Sequence, residues 1–340
     1  MSAFKDISGQ KFGGVMKVLV IQEDKQIDIS AFCGNVTRAD NIDSLGVELN
    51  FDFLNNHVYD SYTQFTSLRT GQTILLYDND ELIFQGQIIT LSRNSISQYS
   101  VKCFDNAFYL NKNETQIQFS NLDVKACIEK LCKQENIPCK VDCDIPTKVT
   151  KIYNGEKIAS VIDDLLKQAT NDTGLKYRRE YNYGSLYVNA MNNLKMIWKS
   201  KPLVSDFSYD ESIDNLANRV VVISSSEKNK TVFAEAKNEQ SIKMYGQYTH
   251  YEKVDDKKKA KAQKIADTKL KELSKTFEKA NVTLLGDNYI RAGRIIQFEQ
   301  PEIGLYGSYL VEHCTHTYTG SIHTMECEIT KEDETVAESK

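Results

Sequence analysis

The chain has 340 residues, with 42 Lys and Arg against 47 Asp and Glu and a formal net charge of −5 at pH 7, a balance that requires no nucleic-acid partner. Hydrophobic residues make up 41% and charged residues 26%, which is ordinary for a globular protein and excludes a disordered one. No run approaches the roughly 18 apolar residues of a membrane span, and the opening MSAFKDISGQKFGG has no apolar signal core, so Sec export is not expected.

Four Pro against 18 Tyr and 14 Phe point to ordered, aromatic-rich β-structure. The length allows two or three domains. The first, 1–117, reads as strands: VMKVLVIQ, SLGVELNFDFL, QTILLYD, ELIFQGQIITLSR and QYSVKCFD. Asn79-Asp80 marks a hairpin turn between two of them. No helical period is read before about residue 119, so a small β-barrel is expected.

The second domain, 118–200, is an α+β insert. Ser120–Asp123 resembles a capping box with Asp in place of Glu. Val124, Cys127, Ile128, Leu131 and Cys132 share one helical face. Ile158, Val161, Ile162, Leu165, Leu166 and Ala169 share another, with Gly174 as the stop. LKYRREYNYGSLYVNAM reads as a hairpin turning near Asn182–Gly184.

The third domain, 201–333, returns to strands and carries a long amphipathic helix over 255–280, striped by Ala262, Ile265, Ala266, Leu270, Leu273 and Phe277. RIIQFEQ, GSYLVEHCTHTY and SIHTMECEIT are strands, the last two joined at Gly320. Residues 334–340 form a polar tail. The fold class is therefore mainly β: two small barrels, an α+β insert, and a helix in the second barrel region.

Chemistry-bearing residues are few. The eight cysteines are Cys33, Cys103, Cys127, Cys132, Cys139, Cys143, Cys314 and Cys327; without a signal peptide they are expected to be reduced. The four between Cys127 and Cys143 lack the spacing of zinc knuckles. His313 and His316, three apart on a strand, point to opposite faces, and His313 lies roughly across the hairpin from Cys327. Cys314, His316 and His323 are the local candidates for a nucleophile or metal site, and Asp163, Asp164, Asp172 and Glu180 for a carboxylate pair. Solvated helix faces and half-buried strand positions account for them more simply. No phosphate-binding glycine loop is present. No catalytic residue, metal or cofactor is assigned.

One pattern occurs twice. Residues 68–86 read LRTGQTILLYDNDELIFQG and residues 290–307 read IRAGRIIQFEQPEIGLYG. Each has an Arg, a Gly two residues later, an apolar strand and a closing Gly: Arg69, Gly71 and Gly86, then Arg291, Gly293 and Gly307. Two copies of one β-unit predict a duplicated barrel, and that predicts symmetry matching in an assembly.

The phrases Gly71-Gln-Thr-Ile through Gly86, Tyr99-x-Val-x-Cys-Phe-Asp105-x-Ala-Phe-Tyr109, Ser241-Ile-x-x-Tyr245-Gly246 and Leu285-Gly286-Asp287-x-x-Ile290-Arg291-x-Gly293 occur in one order. With that order the chain, from about 16 to 330, resembles the XkdQ/YqbQ-type baseplate hub proteins of contractile phage tails and phage-tail-like bacteriocins. These are similar to the contractile-phage hub and to the N-terminal part of the VgrG spike. The resemblance implies a homotrimer whose six barrels dock on a six-fold tail tube and present three-fold symmetry to a trimeric spike. Baseplate and tape-measure proteins are further implied partners. Assembly would occur in the bacterial cytoplasm, followed by release in a virion or bacteriocin particle. No small-molecule substrate, nucleic acid or membrane insertion is implied. Some related hubs carry a fused lysozyme or peptidase, whereas here any wall-cutting activity is expected of a separate protein. Arg69, Gly71, Gly86, Gly286, Asp287, Arg291, Gly293 and Gly307 are then barrel-forming. The competing readings are a tail-tip hydrolase or metal enzyme built on Cys314, His316 and His323, and a glycan-binding module using surface tyrosines.

Overall fold

A computed structural model describes residues 16–44, 46–54, 67–93, 95, 97–182, 184–191, 195–196, 204–225, 231–274 and 276–331. The chain forms two compact units, one running to Ser208 and resuming at Asn281, the other comprising Tyr209–Ala280.

In chain order, the larger unit opens with β1 (Met16–Gln22), β2 (Lys25–Asp28), β3 (Cys33–Asn41), β4 (Glu48–Leu54), β5 (Thr73–Asp78), β6 (Glu81–Arg93) and β7 (Gln98–Asp105). They lie in the order β2-β1-β5-β6-β7-β4-β3. Alternation buries one face: Val18, Val20, Leu49, Phe51, Phe53, Ile74, Leu76, Phe84, Ile88, Val101 and Cys103 form its core. Each such side chain contributes about 1.5–3 kcal/mol by leaving water. Asn79 and Asp80 both have positive φ, 50° and 64°, the geometry of a two-residue hairpin whose twist matches its strands.

A short helix, α1 (Ala107–Lys112), follows at once, where no helix was expected before residue 119. Six residues are too few to show a period, and Ala107 and Leu110 are buried by packing on the insert. Next come β8 (Glu114–Asp123), α2 (Val124–Gln134), β9 (Cys139–Val141), β10 (Lys148–Lys157), α3 (Ile158–Thr173), β11 (Tyr177–Asn182) and β12 (Ser185–Ala190). The cap of α2 is not Ser120: β8 continues to Asp123, whose Oδ1 accepts from the Ala126 amide at 2.7 Å. A side-chain acceptor three residues ahead satisfies an orphan helix donor, and pairing of Leu122 and Asp123 with Val149 and Lys148 keeps the chain in the strand past Ser120. The expected faces of α2 and α3 are the buried ones, and Gly174 at φ 79° ends α3.

After β13 (Lys195–Met196) and β14 (Val204–Ser212) come β15 (Arg219–Ser224), β16 (Val232–Lys237), α4 (Glu239–Tyr245), β17 (Thr249–Val254) and α5 (Ala262–Leu273). In the smaller unit β15 pairs antiparallel with β16 and parallel with β17. Helix α5 packs through Ala262 and Ala266 on Val222, Ala236 and Val254. The helix expected over 255–280 is thus shorter: 256–261 form a 3-10 turn, and a strand begins at Phe277. The helical stripe ends because 277–285 instead alternates as β18 (Phe277–Leu285), burying Ala280, Val282 and Leu284.

The chain closes with β19 (Ile295–Gln300), β20 (Leu305–Thr319) and β21 (Ile322–Lys331). The polar tail at 334–340 lies outside the described residues. Strands β3 and β20 pair antiparallel, from His313 opposite Asn41 to Tyr318 opposite Val36. One 13-stranded sheet results, running from β2 to β3, across to β20, and on through β21 and β18 to β14.

Replacing Asp123 by Ala is expected to lower stability by about 1 kcal/mol, and Asn to retain most of it. Denaturant midpoints of the two variants test the cap.

Candidate functional site

The repeated phrase folds into the same turn twice. In the first, Gln72 donates to the Arg69 carbonyl at 3.3 Å, Gly71 donates to Ile88 at 2.7 Å, and Ile88 donates back to Gln72 at 2.9 Å. In the second, Arg294 donates to Arg291 at 3.1 Å, Gly293 to Val311 at 2.7 Å, and Val311 back to Arg294 at 2.9 Å. Gly71 and Gly293 have φ of 86° and 79°, the left-handed position that favours glycine. A register shift then follows in both partners, between Ile88 and Thr90 and between Val311 and His313. The closing glycines are not equivalent. Gly86 faces Ile74, three residues after Gly71, whereas Gly307 faces Phe298, five after Gly293. Gly86 has its own reason: a Cβ there would stand 2.2 Å from the Phe104 carbonyl oxygen.

The turns differ in what their arginines do. Arg69 is exposed. Arg291 sits inside a network that joins three parts of the larger unit. Its Nε bonds Asp40 of β3 at 3.1 Å and its Nη1 bonds Glu180 of β11 at 3.1 Å. Arg294 grips both oxygens of Glu180, at 2.8 and 3.0 Å. Asp40 also accepts the Ala292 amide at 3.0 Å. Burial alone would raise the Glu180 pKa, but Arg291, then Arg294 and Arg178, hold it down at about 2. Burial lowers Arg178 to about 10. Nearby Asp105 goes the other way: burial pushes it up to about 7 against the pull of backbone donors and Arg291. A Cβ on Gly293 would lie 2.2 Å from the Arg178 guanidinium, so this glycine is required twice, for φ and for space.

Around this network the two copies interlock. Arg38 of β3, buried, donates to the carbonyls of Ile83 and Asn288. Asn288 donates to Asp78 at 2.6 Å and accepts from Tyr318 at 2.6 Å. Asp287 holds the loop by accepting the Tyr289 amide at 2.9 Å. Gly286 donates to His323, whose ring lies where a Cβ would point.

The histidines and cysteines lie beside this junction, in a different pairing from the expected one. Because of the bulge after Val311, His313 faces Glu328, and Cys314 faces Cys327 with the sulfurs 3.3 Å apart. His316 Nε2 lies 2.9 Å from the Ile290 carbonyl, so it carries the proton, and its Nδ1 accepts from His323 Nε2 at 2.9 Å. Burial, then Arg38, holds both rings neutral, His323 at about 4. The Cys327 hydrogen bond and burial keep the Cys314 thiol protonated. Neutral thiol and donor nitrogen face each other, which suits a hydrogen-bonded core. Among the described residues no three His, Cys, Asp or Glu side chains are grouped to hold a metal ion.

The carboxylates are engaged separately: Asp163 by Arg179, Asp164 by Lys151, Tyr153 and Gln168, and Asp172 by Thr147. Sequence reasoning singled out Arg291 but missed Asp40, Arg38 and Arg294. Their only signal was a charge inside an otherwise apolar alternation, as in VTRAD.

The arrangement is a built junction between two copies of a strand unit and an α+β insert. The chain belongs to the YQBQ-like family, whose model matches residues 37–330. It is 26% identical over 275 residues to the phage-like element PBSX protein XkdQ of Bacillus subtilis strain 168, covering 79% of this chain and 84% of that protein. Its fold is similar to the prophage MuSo2 43 kDa tail protein of Shewanella oneidensis, with a TM-score of 0.67, 12% identity, and 93% and 98% of the two chains covered. It is also similar to an E. coli component of the type VI secretion system that itself resembles the T4 tail proteins gp27 and gp5. There the TM-score is 0.53, with 10% identity and coverage of 96% and 76%. These likenesses support a structural component of a phage tail. Among the described residues no helix is long and apolar enough to cross a membrane.

Glu180→Ala is expected to destabilise by about 3–5 kcal/mol, since it strands buried guanidinium groups. Glu180 has a lowered folded pKa, so its stabilisation is full above about 4.5 and is lost as pH falls toward 2. The deficit of Glu180→Gln against wild type should therefore shrink over that range in acid unfolding curves. Asp105 has a raised folded pKa, so stability falls as pH rises from 3.8 to about 7. Asp105→Asn should flatten that slope. Gly293→Ala should cost more than Gly71→Ala, which meets only the φ strain of about 1–2 kcal/mol because no atom lies near its Cβ; thermal melts of the pair decide it.

Proposed function

We propose that the protein is the baseplate hub of a contractile injection particle, a phage tail or a tail-like bacteriocin. It acts as a homotrimer joining a hexameric tail tube to a trimeric central spike. The observation that carries this reading is the order of the duplication. Strands β3, β4, β5, β6 and β7 recur as β14, β18, β19, β20 and β21, with the same glycine turn and the same bulge. Three such chains carry six similar units, so one ring offers pseudo-six-fold symmetry to the tube and true three-fold symmetry to the spike. The work is symmetry matching and sealing of a channel, and no residue is assigned to catalysis.

In this reading Arg69, Gly71, Gly86, Gly286, Asp287, Arg291, Gly293 and Gly307 are framework residues. The α+β insert, which has its own core from Ala107 to Val188, faces neighbouring baseplate proteins. Tape-measure protein is a further partner. Assembly takes place in the bacterial cytoplasm before the particle is released.

Co-expression with its spike and imaging of the purified complex tests the proposal. The expected result is a ring of three-fold symmetry with six lobes around a channel. Monomers that leave the spike behind would overturn it.

A further inference from the structure

At the charged junction the acids are used up before the cations. Glu180 is shared by Arg291 and Arg294, so the buried Arg178 Nε comes only to 3.7 Å from it and makes no hydrogen bond. Asp40 is taken by Arg291 and the Ala292 amide. Val36, Arg38 and Asp40 alternate onto one buried face of β3, which leaves the Arg38 side chain inside at 4% exposure. Among the described residues Arg38 bonds only the Ile83 and Asn288 carbonyls, at 3.1 and 3.4 Å, and no carboxylate. Asp78, whose charge reaches Tyr318 as that of Arg38 does, accepts instead from Asn288. A buried cation held by neutral dipoles alone is poorly compensated for leaving water.

A cleft opens beside this arginine, where the first-copy strands, the second-copy turn and the insert meet. Arg38, Phe84, Gln85, Asp105, Tyr181 and Arg291 line it, and its empty space, open solvent included, is about 310 Å³. Gln85 is exposed and marks the mouth, while Phe84 is a buried apolar wall. The Tyr181 hydroxyl donates to the Gly184 carbonyl at 2.9 Å. Charge in the cleft therefore comes from two guanidinium groups and one carboxyl group. We infer that the cleft is a binding site for one compact monoanion, a halide or a small carboxylate, held by Arg38 and Arg291. Guanidinium N–H groups make strong charge-assisted hydrogen bonds to such an ion. One negative charge balances the pair, and a polyanion would not be balanced. The bound ion would tie β3 to the glycine turn of the second copy, so its occupancy stabilises the fold.

Asp105 sets the pH at which the site opens to an anion. Around it stand Arg291 of the turn, Asp40 and Arg38 of β3 and Tyr181 of β11, and it accepts from the main chain of Val47 and Ala107. Burial pushes its pKa up to about 7, and the Tyr181 phenol is pushed up too, by burial and then by Asp105. Below about 7 the Asp105 carboxyl is uncharged and both arginines face the ion unopposed. Above it the carboxylate repels a bound anion. Affinity therefore strengthens as pH falls through that value.

The test follows thermal unfolding of the full chain while chloride or acetate replaces a bulky sulfonate at constant ionic strength, about one pH unit below and one above the Asp105 value. The unfolding midpoint should rise with one or both small anions, several-fold more at the lower pH, and the ion that raises it names the class that fits. In Asp105→Asn the rise at the higher pH should equal that at the lower. Crystals of wild type grown in bromide at the lower pH locate the ion by its anomalous signal, expected within hydrogen-bond reach of the Arg38 and Arg291 guanidinium groups. Midpoints that do not distinguish the small anions from the sulfonate at the lower pH, with no bromide in the cleft, would overturn the site. An equal rise at both pH values in wild type would overturn the control by Asp105. Both decisions rest on wild-type protein, so they stand even where the variant folds poorly.

Discussion

The structure depends on burying charge where two copies of one fold meet. Arg291 stands at the crossing of β3, the second-copy turn and β11, and its two carboxylate partners come from sequence positions 40 and 180. Buried ion pairs are costly to desolvate, and full pairing is what makes them tolerable. Here every guanidinium that touches Glu180 also tightens the geometry around the sheet junction. Such a network adds less to bulk stability than hydrophobic packing would, yet it specifies one arrangement of insert against sheet.

Duplication followed by divergence explains the rest. The backbone of the glycine turn is retained in both copies because its hydrogen bonds close on the main chain and do not depend on side chains. The side chains have separated: Arg69 faces solvent while Arg291 is built into the interior. The β3-to-β4 connection is a short loop, whereas the equivalent connection from β14 to β18 holds an entire unit, Tyr209–Ala280, with its own core. Insertion at a strand connection leaves the surrounding ladder intact, which is why the repeat survives it.

The cluster of Cys314, Cys327, His316 and His323 shows how burial overrides chemical suggestion. In sequence these are the residues from which a nucleophile or metal site would be drawn. In the fold the tautomer set by the Ile290 carbonyl turns the His316 donor toward the thiol, desolvation keeps both imidazoles neutral, and the Cys327 hydrogen bond with burial keeps the Cys314 thiol protonated. The cluster fills the space beside Gly286 and stacks with Tyr318.

Local periodicity was enough to read the strands, the faces of α2 and α3, the Gly174 stop and the Asn79–Asp80 turn, because each depends on neighbours within a few residues. The same information marked Gly71 and Gly293 as paired. It did not show that Asp123 caps its helix, that α1 exists, or that the helix after Asp255 ends at Leu273, since in each case strand pairing or packing competes with local preference. Nor did it show that Gly86 and Gly307 occupy different rungs, because register belongs to the ladder and not to spacing along one strand. The partners of Arg291 lie 251 and 111 residues away. A contact at that separation leaves no period in the sequence, so only the tertiary structure decided which charges meet.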